Sequence, residues 1–328
     1  MIITKTPFRV SFFGGGTDYP EYFRKHGGAV LGTAIDKFAY HSVTRFYSRL
    51  FDYSVRISYR QVECVKSVEE IQHAPFRECL KWCGISGEIE VNYAAELPSF
   101  SGLGSSSSFV VGLLNALYAY QGKNIPPLEL ARQAIELERE VLKETVGCQD
   151  QVLAAVGGFN VVEFRPDGEI VVRPLPLRPE RIRQLEEHLL MVFTGLHRRA
   201  SDTAARQVQR IGENGPLLRR MREMVEEAAG ILMDSDGLSR FGNLLHEAWM
   251  LKRQLDSSVS NGAIDRLYRE GMEAGALGGK LLGAGGGGFL LFFVPPERRE
   301  KVKSRLSHLE EVKVKLNAPG SHVIHHSP

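Results

Sequence analysis

A glycine- and serine-rich segment directly before an apolar run constrains this chain more than any other feature. The segment PSFSGLGSSSS occupies residues 98–108, and FVVGLLNALYAYQG follows at 109–122 as a predicted helix with Gly122 at its C-cap. Glycine permits positive φ angles and a close approach of ligand to backbone, and the free amides at a helix start attract anions. The pattern therefore predicts a phosphate-binding loop. A serine-capped turn without a ligand is the structural alternative.

Two other nucleotide-binding patterns can be tested against the chain. The Walker A sequence, GxxxxGK[ST], does not occur. The run GAGGGG at 283–288 matches GxGxxG, but the strand-like segment FLLFFV follows it, whereas the dinucleotide motif leads from a strand into a helix. The sequence therefore does not support dinucleotide binding at this run.

Length and composition favour two α+β domains. The 328 residues exceed one ordinary compact core, and 43% hydrophobic with 24% charged residues is typical of globular proteins. A proline-rich segment, RPLPLRPE, spans 173–180, and long polar helices follow it. We therefore predict domains at residues 1–175 and 176–328. The histidines within 322–326 are interpreted as part of a terminal tail.

Charge and cysteine content limit the classes of partner. The formal net charge of +2 offers no general field for nucleic acid or an anionic membrane. The four cysteines form no CxxC pair, and the longest strongly apolar run is far shorter than the roughly 20 residues of a membrane-spanning helix. We expect a cytoplasmic protein that binds neither nucleic acid nor membrane. Whether it is a monomer or a homodimer stays open.

Three segments, in order along the chain, resemble the three motifs of the GHMP kinases. They are TPFRVSFFGGGTDYP at 6–20, GLGSSSS at 102–108 and KLLGAGGGGFLLFF at 280–293. The first is most similar to the sugar-1-kinase branch of the family, whereas galactokinases have a Glu-His pair in place of Gly15-Gly16. The resemblance implies an N-terminal domain like ribosomal protein S5, a ferredoxin-like C-terminal domain and an active site between them. It also implies ATP and Mg²⁺ as cofactors.

The resemblance also assigns catalytic roles. Asp150, in VGCQDQ, matches the family's catalytic carboxylate, which orients or deprotonates the attacking hydroxyl; its structural alternative is the N-cap of a helix predicted over 151–156. Arg9 matches a basic residue that would hold Asp150 ionised and stabilise charge on the transferred phosphoryl group, and an exposed edge-strand arginine is its alternative. The ATP-binding candidates in the loop are Gly102, Leu103, Gly104, Ser105, Ser106 and Ser107.

Helical periodicity singles out Glu138 in the segment LELARQAIELEREVLK at 128–143. At about 100° per residue the apolar residues form one arc, with Glu138 near its centre and both Glu136 and Glu140 opposite. A carboxylate among apolar side chains requires a cation or hydrogen-bond donors. We predict that Glu138 is a Mg²⁺ ligand, with the Ser106 hydroxyl as its partner by the resemblance. A buried salt bridge is the alternative.

Acceptor binding is expected at the first and third motifs and in the second domain. Asp18 matches a family residue that bonds sugar hydroxyls, with an Asx-turn as its structural alternative. Arg198 and Arg199 are candidates for binding the distal phosphate of a sugar phosphate, and two solvated arginines at a helix end are the alternative. The other substrate-binding candidates are Gly15, Gly16, Thr17 and Gly286.

The function that the resemblance implies is ATP-dependent phosphorylation of the anomeric hydroxyl of a sugar or sugar phosphate. One alternative is a GHMP kinase that acts on fucose, galactose or a non-sugar alcohol. Another is a GHMP-fold sensor that binds nucleotide and sugar without turnover. The carboxylate at position 150 favours an enzyme.

Overall fold

The computed structural model describes residues 1–99, 101–196, 200–234 and 237–327. The strands are β1 (Ile2–Phe13), β2 (Gly28–Arg45), β3 (Val55–Ser58), β4 (Val62–Val65), β5 (Ile89–Ala95), β6 (Phe159–Phe164), β7 (Ile170–Pro174), β8 (Leu189–Phe193), β9 (Gly278–Leu281), β10 (Phe289–Phe293), β11 (Glu310–Glu311) and β12 (His322–His326). The helices are α1 (Pro20–His26), α2 (Ala74–Trp82), α3 (Ser105–Tyr120), α4 (Pro127–Glu136), α5 (Gln149–Val156), α6 (Pro179–His188), α7 (Ala200–Gln209), α8 (Gly215–Met233), α9 (Ser239–Leu255), α10 (Gly262–Ala274) and α11 (Arg299–Arg305).

The first sheet is organised around the long strand β2. Within the described residues its strand order is β12-β1-β2-β5-β3-β4, and β6 pairs with both β2 and β7. β2 has 18 residues, so it can pair with β1 on one side while β6 and β5 share the other. α3 and α5 pack against β1 and β2. The start of each helix lies near Arg9 of β1, which borders Gly104 and bonds Asp150.

The second sheet is antiparallel, with the order β11-β8-β10-β9. Helices connect β8 to β9 and β10 to β11, whereas β9 and β10 follow each other directly. This is the arrangement of a ferredoxin-like β-α-β-β-α-β unit, as the family resemblance implies. In the described part of the chain, no helix is long and apolar enough to cross a membrane.

One apolar cluster joins the two sheets. Phe12 and Phe13 of β1 contact Phe241 of α9 edge-on, with ring centroids 5.4 and 5.2 Å apart. The same cluster includes Met191 of β8 and Leu291 of β10. Because all of these side chains are buried, the second sheet is held against the end of β1 where the first glycine motif begins.

The interpretation of residues 322–326 as a tail is wrong. They form β12, which pairs antiparallel with β1 at the edge of the first sheet. Its side chains are mostly exposed, so the segment lacks the apolar alternation by which a half-buried strand is recognised. The division after residue 175 stays a prediction, and β12 joins the first sheet although it follows that division.

The helix predicted over 128–143 changes its winding part of the way along. α4 continues into a π-helical turn at Leu137–Val141. The Leu142 amide accordingly donates to the Leu137 carbonyl, five residues earlier, at 2.9 Å. Such π-helical turns occur frequently at functional sites.

Candidate active site

The predicted phosphate loop lies at the N-terminus of α3. Its N-cap residue Gly104 has φ 75° and ψ 26°, in the left-handed region, and Gly102 has φ 79°. Glycine adopts these angles without the steric cost of a Cβ atom. The first helical hydrogen bond runs from the Ser108 amide to the Gly104 carbonyl at 2.9 Å, so the amides before it need acceptors from outside the helix. The loop therefore presents amide donors suited to an anion.

The glycine run at 283–288 packs directly on this loop. A Cβ atom at Gly283 would lie 2.6 Å from Gly102 Cα, and one at Gly288 would lie 2.5 Å from the Ser101 carbonyl oxygen. The Phe289 amide also donates to that oxygen at 3.2 Å. Backbone packs on backbone here, which explains the glycines and fixes the phosphate loop against the second sheet.

A bidentate ion pair joins β1 to α5. Arg9 Nε and Nη2 donate to Asp150 Oδ1 and Oδ2 at 2.7 and 2.8 Å, and Arg9 Nη1 donates to the Gly102 carbonyl at 2.7 Å. The side chain of Arg9 is 5% exposed, whereas that of Asp150 is 25% exposed. The carboxylate therefore remains accessible while the guanidinium is buried. The Arg9 side chain is buried and its amide donates to the Leu103 carbonyl at 3.1 Å, so the alternative of an exposed edge-strand arginine is wrong.

Asp150 lies inside the first turn of α5 and is not its N-cap. α5 begins at Gln149, two residues earlier than predicted, and Cys148 is the N-cap residue. A carboxylate in the first turn still benefits from the positive end of the helix dipole. The position thus places the Asp150 carboxylate beside the phosphate loop.

Glu138 is fully buried at the π-helical turn. Ser106 Oγ donates to its Oε1 at 3.1 Å, while Ser107 Oγ and Gln151 Nε2 donate to its Oε2 at 2.8 and 2.6 Å. Within the described ranges its partners are these neutral donors, so the salt-bridge alternative is wrong there. Burial raises the pKa of Glu138 to about 7, although the three hydrogen bonds act in the opposite direction.

The residues around Glu138 fit a hard cation. The exposed Ser106 offers a hydroxyl oxygen 3.1 Å from a carboxylate oxygen of Glu138. Mg²⁺ prefers such oxygen ligands, and it takes one or two carboxylates while keeping other positions for water and phosphate. A nearby cation would also offset the cost of burying a carboxylate.

Asp18 is 1% exposed and ties the first glycine motif to α5. Its Oδ1 accepts from the Gly16 amide at 3.0 Å and its Oδ2 from the Gln149 amide at 3.3 Å. The first amide precedes Asp18 and the second belongs to another segment, so the Asx-turn alternative is wrong. Burial raises the pKa of Asp18, and the charge of Asp150 raises it further.

Other substrate-binding candidates make internal contacts. The hydroxyl of buried Thr17 donates to the carbonyls of Gly14 and Ala29 at 2.8 and 2.9 Å. The Gly286 amide donates to the Val259 carbonyl at 3.0 Å. Arg198 and Arg199 lie outside the described residues.

Two buried lysines at the junction of the sheets are absent from the sequence-based prediction. Lys280 of β9 donates to two carbonyl oxygens at the end of β1, at 2.9 and 2.7 Å. Lys252 of α9 donates to two carbonyl oxygens of the third motif. Burial lowers the pKa of both, to about 7 for Lys252, and the charge of Arg9 contributes. Periodicity could have identified Lys252, since it follows buried Leu245 and Ala248 at helical spacing.

Together these contacts place anion donors beside an accessible carboxylate. A Cβ atom at Gly104 would lie only 3.3 Å from Asp150 Oδ2, so the carboxylate borders the phosphate loop. Phosphoryl transfer requires this combination of phosphate positioning, charge neutralisation and a group that orients the attacking hydroxyl. Fold and site thus define a phosphotransferase that acts on an alcohol group.

Comparisons with known proteins agree with this class. The family model for the GHMP kinases N terminal domain matches residues 64–158. The family model for the GHMP kinases C terminal matches residues 233–311. The D-glycero-alpha-D-manno-heptose 7-phosphate kinase of Campylobacter jejuni is 30% identical over 295 residues, which are 87% of this chain and 86% of that protein. The galactokinase of Pyrococcus furiosus is 27% identical over 322 residues, with 87% and 86% covered.

Among solved structures, the D-glycero-D-manno-heptose 1-phosphate kinase from Bacteriodes thetaiotaomicron has the same fold. Its TM-score is 0.81 at 23% identity, over 100% of both chains. The chain belongs to the GHMP kinase family and is an ATP-dependent phosphotransferase with the two-domain fold of that family.

Proposed function

We propose that this chain, a sugar kinase of the GHMP family, phosphorylates the anomeric hydroxyl of D-glycero-D-manno-heptose 7-phosphate to give the 1,7-bisphosphate. The observation that supports phosphorylation best is the accessible Asp150 carboxylate, held by Arg9 at the edge of the phosphate loop. The similarity to the heptose 7-phosphate kinase of Campylobacter jejuni supports the choice of sugar.

In the proposed reaction the anomeric oxygen attacks the γ-phosphorus of ATP. The bond between that phosphorus and the β–γ bridging oxygen breaks, and ADP leaves. Asp150 accepts the proton of the attacking hydroxyl. Arg9 orients the Asp150 carboxylate through its bidentate contact and supplies positive charge near the transferred group.

The nucleotide phosphates are assigned to residues 102–107 at the start of α3, where amides and serine hydroxyls converge. Glu138 and the Ser106 hydroxyl would hold Mg²⁺, which neutralises charge on the phosphates when it is bound. We assign acceptor binding to the first motif (Gly15, Gly16, Thr17 and Asp18) and to Gly286. Arg198 and Arg199 are assigned to the distal phosphate.

The experiment that tests this function is coupled ADP release over a panel of acceptors, namely heptose 7-phosphate, galactose, fucose and mevalonate. We expect the highest kcat/KM with heptose 7-phosphate and phosphate on the anomeric oxygen of the product. Preference for galactose, as in the related galactokinase, would replace the proposed acceptor. Sugar and nucleotide binding without ADP release would instead identify a sensor.

A further inference from the structure

The fold does not require all three glycines of the first motif. Gly14 has φ +81°, and a Cβ atom there would lie 1.9 Å from a backbone carbonyl oxygen. Gly16 has φ +103°, which is strained for any other residue. Gly15 has no such φ, and among the described residues its Cβ would meet only Gln149 Nε2 at 3.7 Å and Ser11 Oγ at 3.8 Å. These are ordinary van der Waals distances, so neither backbone nor neighbours explain a glycine at position 15.

Two polar side chains beside Gly15 each have a buried oxygen atom without a partner in the described part of the chain. Ser11 is 7% and Gln149 is 9% exposed. Ser11 Oγ and Gln149 Oε1 make no hydrogen bond within the described residues. Leaving such a group unsatisfied is unfavourable, so a buried polar atom of this kind calls for a partner.

Hydrogen bonds to the backbone groups of Ser11 and Gln149 hold both residues in place. Lys280 Nζ donates to the Ser11 carbonyl at 2.9 Å, and the Gln149 amide donates to Asp18 Oδ2 at 3.3 Å. The two side chains therefore approach Gly15 from anchored positions, one on β1 and the other on α5.

The surroundings of Gly15 adjoin Arg9 and Asp150. Ser11 follows Arg9 by two residues in a regular part of β1, so both side chains lie on the same face, about 6.6 Å apart along the strand. Gln149 directly precedes Asp150 in the first turn of α5. A molecule bound beside Gly15 would thus lie next to Asp150, which accepts the proton of the acceptor hydroxyl in the proposed reaction.

We infer that Ser11 and Gln149 are specificity-determining residues that hydrogen-bond hydroxyl groups of the acceptor sugar, in a space kept open by the missing side chain of Gly15. The inference deepens the proposed function and rests on it. One sugar hydroxyl pairs with the carboxamide of Gln149, whose Nε2 faces Gly15, and the Ser11 hydroxyl donates to or accepts from a second one. A polyhydroxylated ring satisfies both groups, whereas an apolar alcohol leaves them unpaired.

The test compares Gly15→Ala, Ser11→Ala and Gln149→Leu with Gly262→Ala. Gly262 is exposed, has no positive φ and has open space around its Cβ position, so it is a matched control for the added methyl group. We expect Gly15→Ala to raise the acceptor KM by about tenfold or more and the two other variants by about two- to tenfold. The KM for ATP should stay within about twofold in all four variants.

The acceptor in this test is whichever sugar of the panel the wild-type protein phosphorylates best, so failure of the heptose assignment does not decide the outcome. Without turnover, the sugar-induced increase in Tm replaces KM. Wild type should bind an analogue that lacks one of these hydroxyls more weakly than it binds the parent sugar. The variant that lacks the matching side chain, Gln149→Leu or Ser11→Ala, should bind the analogue and the parent sugar equally. Unchanged acceptor affinity in Gly15→Ala, Ser11→Ala and Gln149→Leu would overturn the inference and indicate that water satisfies these groups.

Discussion

Several charged side chains of the site are buried, and their chemistry depends on that burial. Arg9, Glu138 and Lys252 are all less than 9% exposed, although charged side chains are seldom buried without partners. Each is bound by specific donors or acceptors of the site. Substitutions at these positions and their partners should therefore change chemistry and stability in ways that can be separated.

Asp150→Asn should lower turnover without preventing nucleotide binding. Asparagine retains a carbonyl oxygen for Arg9 but cannot accept the proton of the acceptor hydroxyl, so kcat should fall by about a hundredfold or more. ADP release measures kcat, and a nucleotide titration measures binding. Asp167→Asn, in an exposed turn, is the control and should change neither. Wild-type turnover in Asp150→Asn would remove Asp150 from the mechanism.

Glu138→Gln should increase the Mg²⁺ concentration required for half-maximal activity. The amide keeps the shape of the side chain but loses its charge, and a lost metal contact reduces affinity by about tenfold or more. A Mg²⁺ titration of ADP release gives the value. Glu136→Gln is the matched control, because Glu136 is exposed on the preceding turn. Equal shifts in the two variants would refute the assignment of Glu138 as a ligand.

Lys252 should make stability depend on pH above neutrality. Its pKa is about 7 in the folded protein, against the ordinary value of 10.5. Between these values the unfolded chain binds more protons, so this group raises the free energy of unfolding by up to about 1.4 kcal/mol for each pH unit. Below pH 7 Lys252 is protonated in both the folded and the unfolded chain, so it adds no pH dependence there.

Urea unfolding of wild type and Lys252→Met at pH 7 and pH 9.5 measures this contribution. The difference between the two proteins should move in favour of wild type as the pH rises. Lys301→Met, on the exposed face of α11, should follow the wild-type pH dependence. A difference between wild type and Lys252→Met that does not change with pH would contradict the lowered pKa.

At the scale of elements, helix starts and one irregular turn position the chemistry. Periodicity correctly placed Glu138 on the buried side of its helix, because apolar spacing is a local property. It did not reveal the π-helical turn at Leu137–Val141, where Glu138 meets Ser106 and Ser107 of α3. A single π-helical turn of this kind leaves no periodic signal in the sequence.

Gly104→Ala and Gly122→Ala separate backbone strain from crowding of the site. Both glycines are left-handed, with φ +75° and +72°, so alanine should cost about 1–2 kcal/mol of stability at either position. A Cβ at Gly104 would also lie 3.3 Å from Arg9 Cγ and from Asp150 Oδ2, whereas no described residue would come within 4 Å of a Cβ at Gly122. Turnover should therefore fall only in Gly104→Ala, as measured by ADP release beside urea unfolding. Equal turnover would show that the loop tolerates a Cβ atom.

At the scale of the whole molecule, the two sheets share one apolar cluster. Phe241 is fully buried and contacts Phe12 and Phe13 of the first sheet and Phe293 of the second. Phe292, also fully buried, belongs to a cluster formed by residues of the second sheet and its helices. Phe241 therefore contacts both sheets, whereas Phe292 packs within the second sheet and its helices.

Phe241→Ala should loosen both sheets, and Phe292→Ala mainly the second. Each substitution should cost about 3–5 kcal/mol, because it leaves a cavity in a packed core. Amide hydrogen exchange measures protection in β1 and β2 and separately in β8 and β10. Unchanged protection of β1 and β2 in Phe241→Ala would mean that the shared cluster does not couple the sheets.

The sequence by itself determined the features that depend on neighbouring residues. The strand-like segment FLLFFV contains β10, and the glycine- and serine-rich loop leads into a helix as predicted, although that helix begins at Ser105 rather than at residue 109. The family motifs brought Arg9, Asp150 and the phosphate loop into one hypothesis, because each motif is a short pattern.

Only the tertiary structure decided which distant groups meet. Arg9 and Asp150 are 141 residues apart along the chain, and Lys280 reaches the end of β1 across more than 260 residues. The oxygen atoms of Ser11 and Gln149 that lack partners within the described ranges, and the pairing of β12 with β1, have no local pattern either. Local spacing sets which side of an element is buried, whereas contacts between elements depend on topology and packing, which periodicity does not encode.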